Sequence, residues 1–147
     1  MHTRRPGVTL LELTIAIGVI AITLALAAPP LTHARDVLAV RAARDAIVAA
    51  AARTRAMAIQ HGGALLRIDP TSGAITITGG DGTLESAARI AGDIEVRVLV
   101  QGSQSTEALI QYDALGIGRL ANRTISLSRG RSSGGVTFSA YGRPRPW

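Results

Sequence analysis

The chain has 147 residues, enough for one domain of ordinary size, and a formal net charge of +6 at pH 7. All 16 of its basic residues are arginines, and its lack of cysteine excludes disulfide bonds, thiolate metal sites and cysteine nucleophiles. Hydrophobic residues make up 47% of the chain although aromatic residues make up only 3%. This composition predicts that the apolar residues are concentrated in one segment.

That segment follows a short basic leader at the N-terminus. Residues 1–7 read MHTRRPG, and residues 8–28 read VTLLELTIAIGVIAITLALAA, in which Glu12 is the one charged residue. A helix of this length spans about 30 Å, the thickness of the hydrocarbon core of a bilayer. Because Arg4 and Arg5 precede it, the positive-inside rule predicts one membrane-spanning helix with a cytoplasmic N-terminus.

Three interpretations of this segment compete. A cleaved secretory signal would use Ala25-Leu26-Ala27 as its cleavage site, but this apolar run is longer than usual for a signal and contains a carboxylate. A plain membrane anchor explains the length, but it leaves Glu12 in lipid at a cost of about 2.5 to 3.5 kcal/mol. The third interpretation gives Glu12 a charged partner.

This third interpretation depends on the segment Gly7-Val8-Thr9-Leu10-Leu11-Glu12, which resembles the prepilin-type cleavage and methylation motif. The resemblance implies that a prepilin peptidase cleaves after Gly7 and methylates the new amine of Val8, a position where most of the family has Phe. Glu12 is then the fifth mature residue and an assembly residue, paired with the amine of Val8 or of a neighbouring subunit. Such a pair offsets the cost of placing a carboxylate in an apolar environment.

A second helix is predicted for residues 31–60, after a kink or break at Pro29-Pro30. Spacings of three and four residues place one stripe on a single face of this helix, formed by Val40, Ala43, Ile47, Ala50, Thr54 and Met57. The stripe is typical of a helix that covers a sheet, and Gly62-Gly63 is expected to end the helix.

Beyond Gly63 the hydrophobic period changes to two, which is typical of strands. About six strands are predicted, at residues 64–69, 74–78, 93–100, 108–112, 124–128 and 136–141. The elements predict an α+β fold in which one long N-terminal helix packs on an antiparallel sheet. The prepilin resemblance implies the same pilin-like fold, with a transmembrane half and an amphipathic half of that helix.

The chain also resembles, over nearly its whole length, the GspH/FimT group of minor pilins and pseudopilins. The matching segments are Ala52-Arg53 to Ala58-Ile59 in the predicted helix, Ile110-Gln111-Tyr112-Asp113 to Gly116, Arg123-Thr124-Ile125-Ser126-Leu127, Val136-Thr137-Phe138-Ser139 and Gly142-Arg143. The resemblance implies a leader at 1–7, a transmembrane and assembly helix at 8–28, and a periplasmic domain at 29–147. It also implies location in the bacterial inner membrane, and in a pilus or pseudopilus after assembly.

The functional prediction is a structural subunit. The sequence contains no recognisable catalytic constellation, metal-ligand cluster or cofactor motif, so a non-enzymatic protein without cofactors or metal is expected. The resemblance implies a minor pilin or pseudopilin of a type II secretion pseudopilus or a type IV pilus. Its partners would be prepilin peptidase, other pilins and the inner membrane.

A DNA-binding function is the alternative, because residues 114–147 contain six arginines and no acid. A charge imbalance of this kind indicates either an anionic partner or a solvated sheet face. Gly142-Arg143-Pro144-Arg145 resembles the Gly-Arg-x-Arg tail with which FimT-type minor pilins bind DNA for uptake in natural transformation. Arg143 and Arg145 would contact phosphates, and Arg129 and Arg131 would enlarge the basic surface.

Overall fold

The computed structural model describes residues 7–119 and 121–147, without the side chains of residues 26–30. The leader residues 1–6, including Arg4 and Arg5, lie outside the described residues. The chain divides into two compact units between Ala34 and Arg35.

One helix, α1, extends from Leu10 to His61. The Thr9 side-chain oxygen accepts a hydrogen bond from the Glu12 N–H at 3.2 Å, as an N-cap does. The helix ends at His61 and is followed by Gly62, whose φ of 75° suits a glycine after a helix. The break predicted at Pro29-Pro30 was wrong, because α1 includes both prolines. A proline removes one helical N–H bond, and a helix can bend there without ending.

The prediction of a membrane-spanning helix was also wrong. Among the residues that the structure describes, no helix is both long enough and apolar enough to cross a membrane. This finding overturns the transmembrane segment at 8–28, and with it the single-pass inner-membrane location with a periplasmic domain.

The strands follow α1 in the second unit. They are β1 (Gly63–Ile68), β2 (Ala74–Gly79), β3 (Leu84–Arg89), β4 (Glu95–Val100), β5 (Ser103–Ser105), β6 (Ala108–Asp113), β7 (Gly118–Arg119), β8 (Arg123–Arg129), β9 (Ser132–Phe138) and β10 (Pro144–Pro146). The predicted strands correspond to β1, β2, β4, β6, β8 and β9, whereas the sequence did not indicate β3 or the short strands β5, β7 and β10.

These strands form two antiparallel sheets, where the sequence predicted one. The first sheet has the order β3-β2-β1-β6-β7 and the second has the order β10-β9-β8-β4-β5. The prediction failed because a period of two identifies the buried face of a strand but not the strand beside it. The chain is therefore mixed α+β, but it is not the predicted helix on a single sheet.

The helical stripe covers the core of the second unit, as predicted. Its first five members are buried and Met57 is partly buried. The sheets contribute the fully buried Leu66, Ile68, Ile75, Ile77, Ile110, Ile125, Leu127, Val136 and Phe138. Each such side chain stabilises the fold by about 1.5 to 3 kcal/mol relative to exposure. The buried Thr54 hydroxyl donates to the Ala50 carbonyl at 2.8 Å, so it fits this apolar face without an unsatisfied donor.

Candidate functional site

The predicted processing residues lie in the exposed segment that leads into α1. Val8 is 74% exposed, and among the described residues, apart from its own chain neighbours, no heavy atom lies within 4 Å of the position that a Cβ on Gly7 would occupy. Glu12 lies in the first turn of the helix and is also exposed. Among the residues that the structure describes, the Glu12 carboxylate has no hydrogen-bond or ion-pair partner. Gly7 and Val8 are both exposed, and cleavage between them stays a prediction.

The start of α1 exposes an unusual amount of apolar surface. The large side chains, each between 55% and 83% exposed, are Leu10, Leu11, Leu13, Ile15, Ile17, Val19, Ile20, Ile22 and Leu24. The hydroxyls of Thr14 and Thr23 donate to carbonyls of their own helix at 2.8 to 3.0 Å, so they are not available as donors to a neighbouring molecule. The apolar surface therefore continues around the helix, and surfaces of this kind mark interaction sites.

At the other end of the chain, a tight hairpin joins β9 to β10. The Gly142 N–H donates to the Ser139 carbonyl at 2.9 Å, and Gly142 has a φ of 74°. Only glycine adopts this φ without strain, which explains its place before Arg143. Arg143 directly precedes the edge strand β10 and Arg145 lies within it, two residues further on, and both are exposed. Neither guanidinium has an ion-pair partner in the described parts of the chain.

The edge strand is also protected from pairing with another strand. The Trp147 N–H and carbonyl bond to Gly135 of β9 at 3.0 and 3.1 Å. Backbone groups alternate in direction along a strand, so the backbone nitrogens of Pro144 and Pro146 point away from β9. Proline has no N–H to offer a further strand. Arg145 is thus presented on an edge that other strands cannot easily cover.

Arg129 does not belong to this surface, contrary to its predicted role as an extension of the basic patch. Its Nε lies 3.1 Å from Asp36 Oδ1, and its Nη2 lies 2.8 Å from Asp93 Oδ2. Its side chain is only 29% exposed. Arg129 therefore connects α1, β8 and the turn before β4, and its charge is already balanced by two carboxylates.

Arg131 is exposed but lies elsewhere on the second sheet. It occupies the turn between β8 and β9, whereas Arg143 lies beyond the far end of β9, opposite Ser139. The length of β9 separates the two positions by about 23 Å. Of the four predicted arginines, the structure brings together only Arg143 and Arg145.

A cleft of about 270 Å³ lies beside Arg143. It is lined by Val48, Ala51, Ala52, Arg55, Tyr112, Gly116, Tyr141, Gly142, Arg143 and Pro144. The volume is close to the lower end of the range for small-molecule sites. Sequence reasoning missed Arg55, because its position on α1 carries no motif and only the packing of the helix brings it to the hairpin.

One buried hydrogen bond holds the floor of this cleft. The Tyr112 hydroxyl, on β6 of the first sheet, donates to the Gly142 carbonyl at 2.6 Å. Burial raises the pKa of Tyr112 to about 12, and the positive charge of Arg55 opposes that shift. The Gly118 N–H also donates to the Tyr141 carbonyl at 3.0 Å. The hairpin that carries Arg143 is therefore fixed to the first sheet.

A second set of bonds shapes the turn between β6 and β7. The Asp113 carboxylate accepts the Ile117 and Leu115 N–H groups, both at 3.0 Å, and the Arg119 guanidinium at 3.3 Å. These bonds, chiefly that from Ile117, lower the pKa of Asp113. The turn includes Gly116, whose φ is 70°. Arg119 is thus engaged with Asp113, which leaves Arg55 and Arg143 as the cations of the cleft.

No known protein family, curated protein or solved structure matches the chain. Two surfaces stand out in the described residues: the apolar start of α1, and the Arg143–Arg145 edge with its adjacent cleft.

Proposed function

We propose that the chain is a structural subunit of a pilin-type filament, a minor pilin or pseudopilin that prepilin peptidase processes after Gly7. The observation that carries this proposal is the exposed apolar surface of α1 between Leu10 and Leu24. Exposure of apolar surface to water costs about 25 cal/mol per Å². Helices of the same kind from neighbouring subunits would cover this surface.

The distribution of the surface favours several neighbours over one. A helix that docks in a single groove needs one apolar stripe, whereas this one is apolar on all sides. Glu12 is the one charged residue in the stretch and needs a cationic partner. Cleavage after Gly7 would create an amine at Val8, one helical turn away along the sequence. Processing would thus supply the charge that assembly requires.

The mature N-terminus tests the first half of the proposal. The protein is produced together with a prepilin peptidase, and the N-terminal peptide is identified by mass spectrometry. We expect the chain to begin at N-methylated Val8. A chain that begins at Ala28 would show cleavage after Ala25-Leu26-Ala27 by a signal peptidase and would overturn the proposal.

Cysteine cross-linking tests assembly. Because the chain has no native cysteine, each introduced cysteine is the one thiol that can react. Single cysteines are placed in turn through residues 10–24, in cells that assemble the filament, and a short bismaleimide is added. We expect links to neighbouring subunits at several of these positions. Ser103→Cys, on the exposed strand β5, is the control and should give none. A helix that gives no more links than Ser103→Cys would contradict assembly through α1.

We propose DNA binding as a second function of the same chain, because a specific feature favours it. Arg143 and Arg145 are exposed at alternate positions of one edge, without a carboxylate partner in the described residues. Guanidinium groups bind phosphate oxygens through two parallel hydrogen bonds. Contacts of this kind to the backbone would position DNA without reading its sequence.

The salt dependence of binding tests this second function. We expect the full chain to bind duplex DNA, with affinity that falls steeply as salt rises. Replacing both Arg143 and Arg145 by Ala should flatten the log–log salt slope by about 2, since each phosphate contact contributes about 0.9. The control replaces Arg41 and Arg89, two exposed arginines on α1 and β3, and removes the same charge. An equal effect of the control, or no binding by the wild type, would overturn the assignment.

A further inference from the structure

The cleft beside Arg143 contains a second cation that no sequence motif indicates. Arg55 and Arg143 both line it, and both also line a neighbouring pocket, together with Gly116, Ile117 and Tyr141. No carboxylate is among the described residues that line either pocket. The aliphatic stem of Arg55 lies against Gly116, where an added Cβ would come within 2.9 Å of the Arg55 Cγ. Two guanidinium groups that have no counter-charge among the described residues favour an anionic ligand.

The walls of the cleft favour a flat, apolar group. Val48, Ala51 and Ala52 contribute aliphatic surface from α1, and the Tyr112 ring forms part of the floor. Tyr141, at the tip of the hairpin, is 71% exposed, so one face of its ring can accept a stacked partner. The ligand that fits the whole cleft therefore combines a planar ring with a negative charge.

A nucleotide has both features. Whether its base can enter the cleft depends on whether the DNA is single-stranded or duplex. Bases in a duplex are stacked and paired, so a cleft of about 270 Å³ beside an edge strand cannot take one of them. Bases in a single strand are free to leave the stack and to lie on an aromatic ring. The cleft should therefore discriminate between the two forms.

We propose that this cleft binds one unstacked nucleotide of single-stranded DNA, with the base against Tyr141 and the phosphate between Arg55 and Arg143. The inference rests on the DNA-binding function proposed above and specifies its ligand. Arg145, on β10 beside the cleft, binds the phosphate of the next nucleotide. The Tyr112–Gly142 hydrogen bond holds the hairpin in place, so little ordering is required when the strand binds.

The test compares two probes on the full chain by fluorescence anisotropy. One is a labelled oligothymidylate of about 20 nucleotides, and the other is a closed hairpin duplex of similar length. Tyr141→Ala should weaken binding of the single strand about five- to 100-fold, which is the usual loss of one stacked base. It should change binding of the duplex by less than about twofold. Tyr141→Phe, which keeps the ring, should bind both probes as the wild type does.

The charge of Arg55 is tested on the same probes. Arg55→Gln should flatten the salt slope for the single strand by about 0.7, the contribution of one phosphate contact. Arg41→Gln, on the same helix and also exposed, is the matched control and should leave that slope unchanged. Thermal melts show whether each variant is folded; both Tyr141 and Arg55 are exposed, so we expect wild-type melting.

The outcomes separate this inference from the function on which it rests. A wild type that binds neither probe overturns DNA binding as a whole. A wild type that binds the duplex, with Tyr141→Ala and Arg55→Gln neutral toward the single strand, overturns the cleft alone. Equal losses on both probes would also overturn the cleft, because a duplex cannot use it.

Discussion

At the scale of single residues, Tyr112 is the side chain on which the geometry of the C-terminal hairpin depends. Its hydroxyl is 2.6 Å from the Gly142 carbonyl, and the residue is 2% exposed. Tyr112→Phe removes the donor and leaves a carbonyl without its partner, so we expect the free energy of unfolding to fall by about 1 to 3 kcal/mol. Urea denaturation measures this loss. Tyr141→Phe, at an exposed ring, is the control, and equal stability of the two variants would contradict the role of Tyr112.

Tyr112 also makes stability depend on alkaline pH. Burial raises the pKa of Tyr112 to about 12 from an ordinary value of about 10, so the unfolded chain ionises first as pH rises. The stabilisation is fully present below pH 10, and about 2 to 3 kcal/mol is lost as pH rises through 12. The chain has no lysine or cysteine to titrate in this window.

The background for this measurement is Tyr141→Phe, in which Tyr112 is the one phenol left. Ultraviolet absorbance of the phenolate should report ionisation near pH 12, and urea denaturation should show the parallel loss of stability. The variant that lacks both tyrosines should lose much less stability across the same window. Ionisation near pH 10 in the folded protein would contradict the burial of Tyr112.

At the scale of elements, the pair of carboxylates around Arg129 fixes the helix to the second sheet. Asp36 of α1 and Asp93 before β4 lie 3.1 and 2.8 Å from its guanidinium. Arg129→Gln leaves both acids without a counter-charge, and we expect a loss of about 1 to 3 kcal/mol in urea denaturation. Arg97→Gln is the matched control, since its pair with Glu95 is more than half exposed and worth at most about 1 kcal/mol. A smaller loss for Arg129→Gln than for the control would contradict this connection.

The elements also show what a sequence pattern can and cannot predict. The stripe on α1 and the alternation of β4 were predicted because burial on one face produces a regular period. β3 was missed because its burial does not alternate regularly and its pairing with β2 shifts between Ile75 and Thr76. The second sheet was missed because strand partners are chosen by long-range packing, which local periodicity does not encode.

The same distinction applies to the candidate site. Arg143 and Arg145 could be predicted because they share one short segment with Gly142, whose backbone requirement is local. Arg55 could not, since it meets Arg143 only through the packing of α1 against two turns. The sequence does not distinguish Arg129 from Arg131, but in the fold Arg129 forms ion pairs with Asp36 and Asp93 and so has a structural role.

At the scale of the whole molecule, the two units differ in how far their apolar side chains are buried. The second unit buries its aliphatic side chains between α1 and the sheets, whereas those from Leu10 to Leu24 are exposed. A surface of this kind is unfavourable for a separate monomer and favourable in an assembly that covers it. The stability of the fold and the tendency to assemble should therefore respond to different substitutions.

Glu12→Ala tests that separation. Glu12 is exposed and its carboxylate has no partner in the described residues, so its loss should not change the urea denaturation of the second unit. In an assembled filament the carboxylate would meet the amine of Val8 in an apolar environment, where an ion pair is strong. We therefore expect Glu12→Ala to lower the cross-linking yield of cysteines placed in residues 10–24 at least about fivefold. Asp45→Ala removes an exposed acid from the same helix and should cross-link as the wild type does. Full cross-linking by Glu12→Ala would remove this carboxylate from the mechanism of assembly, and the apolar surface alone would then have to account for it.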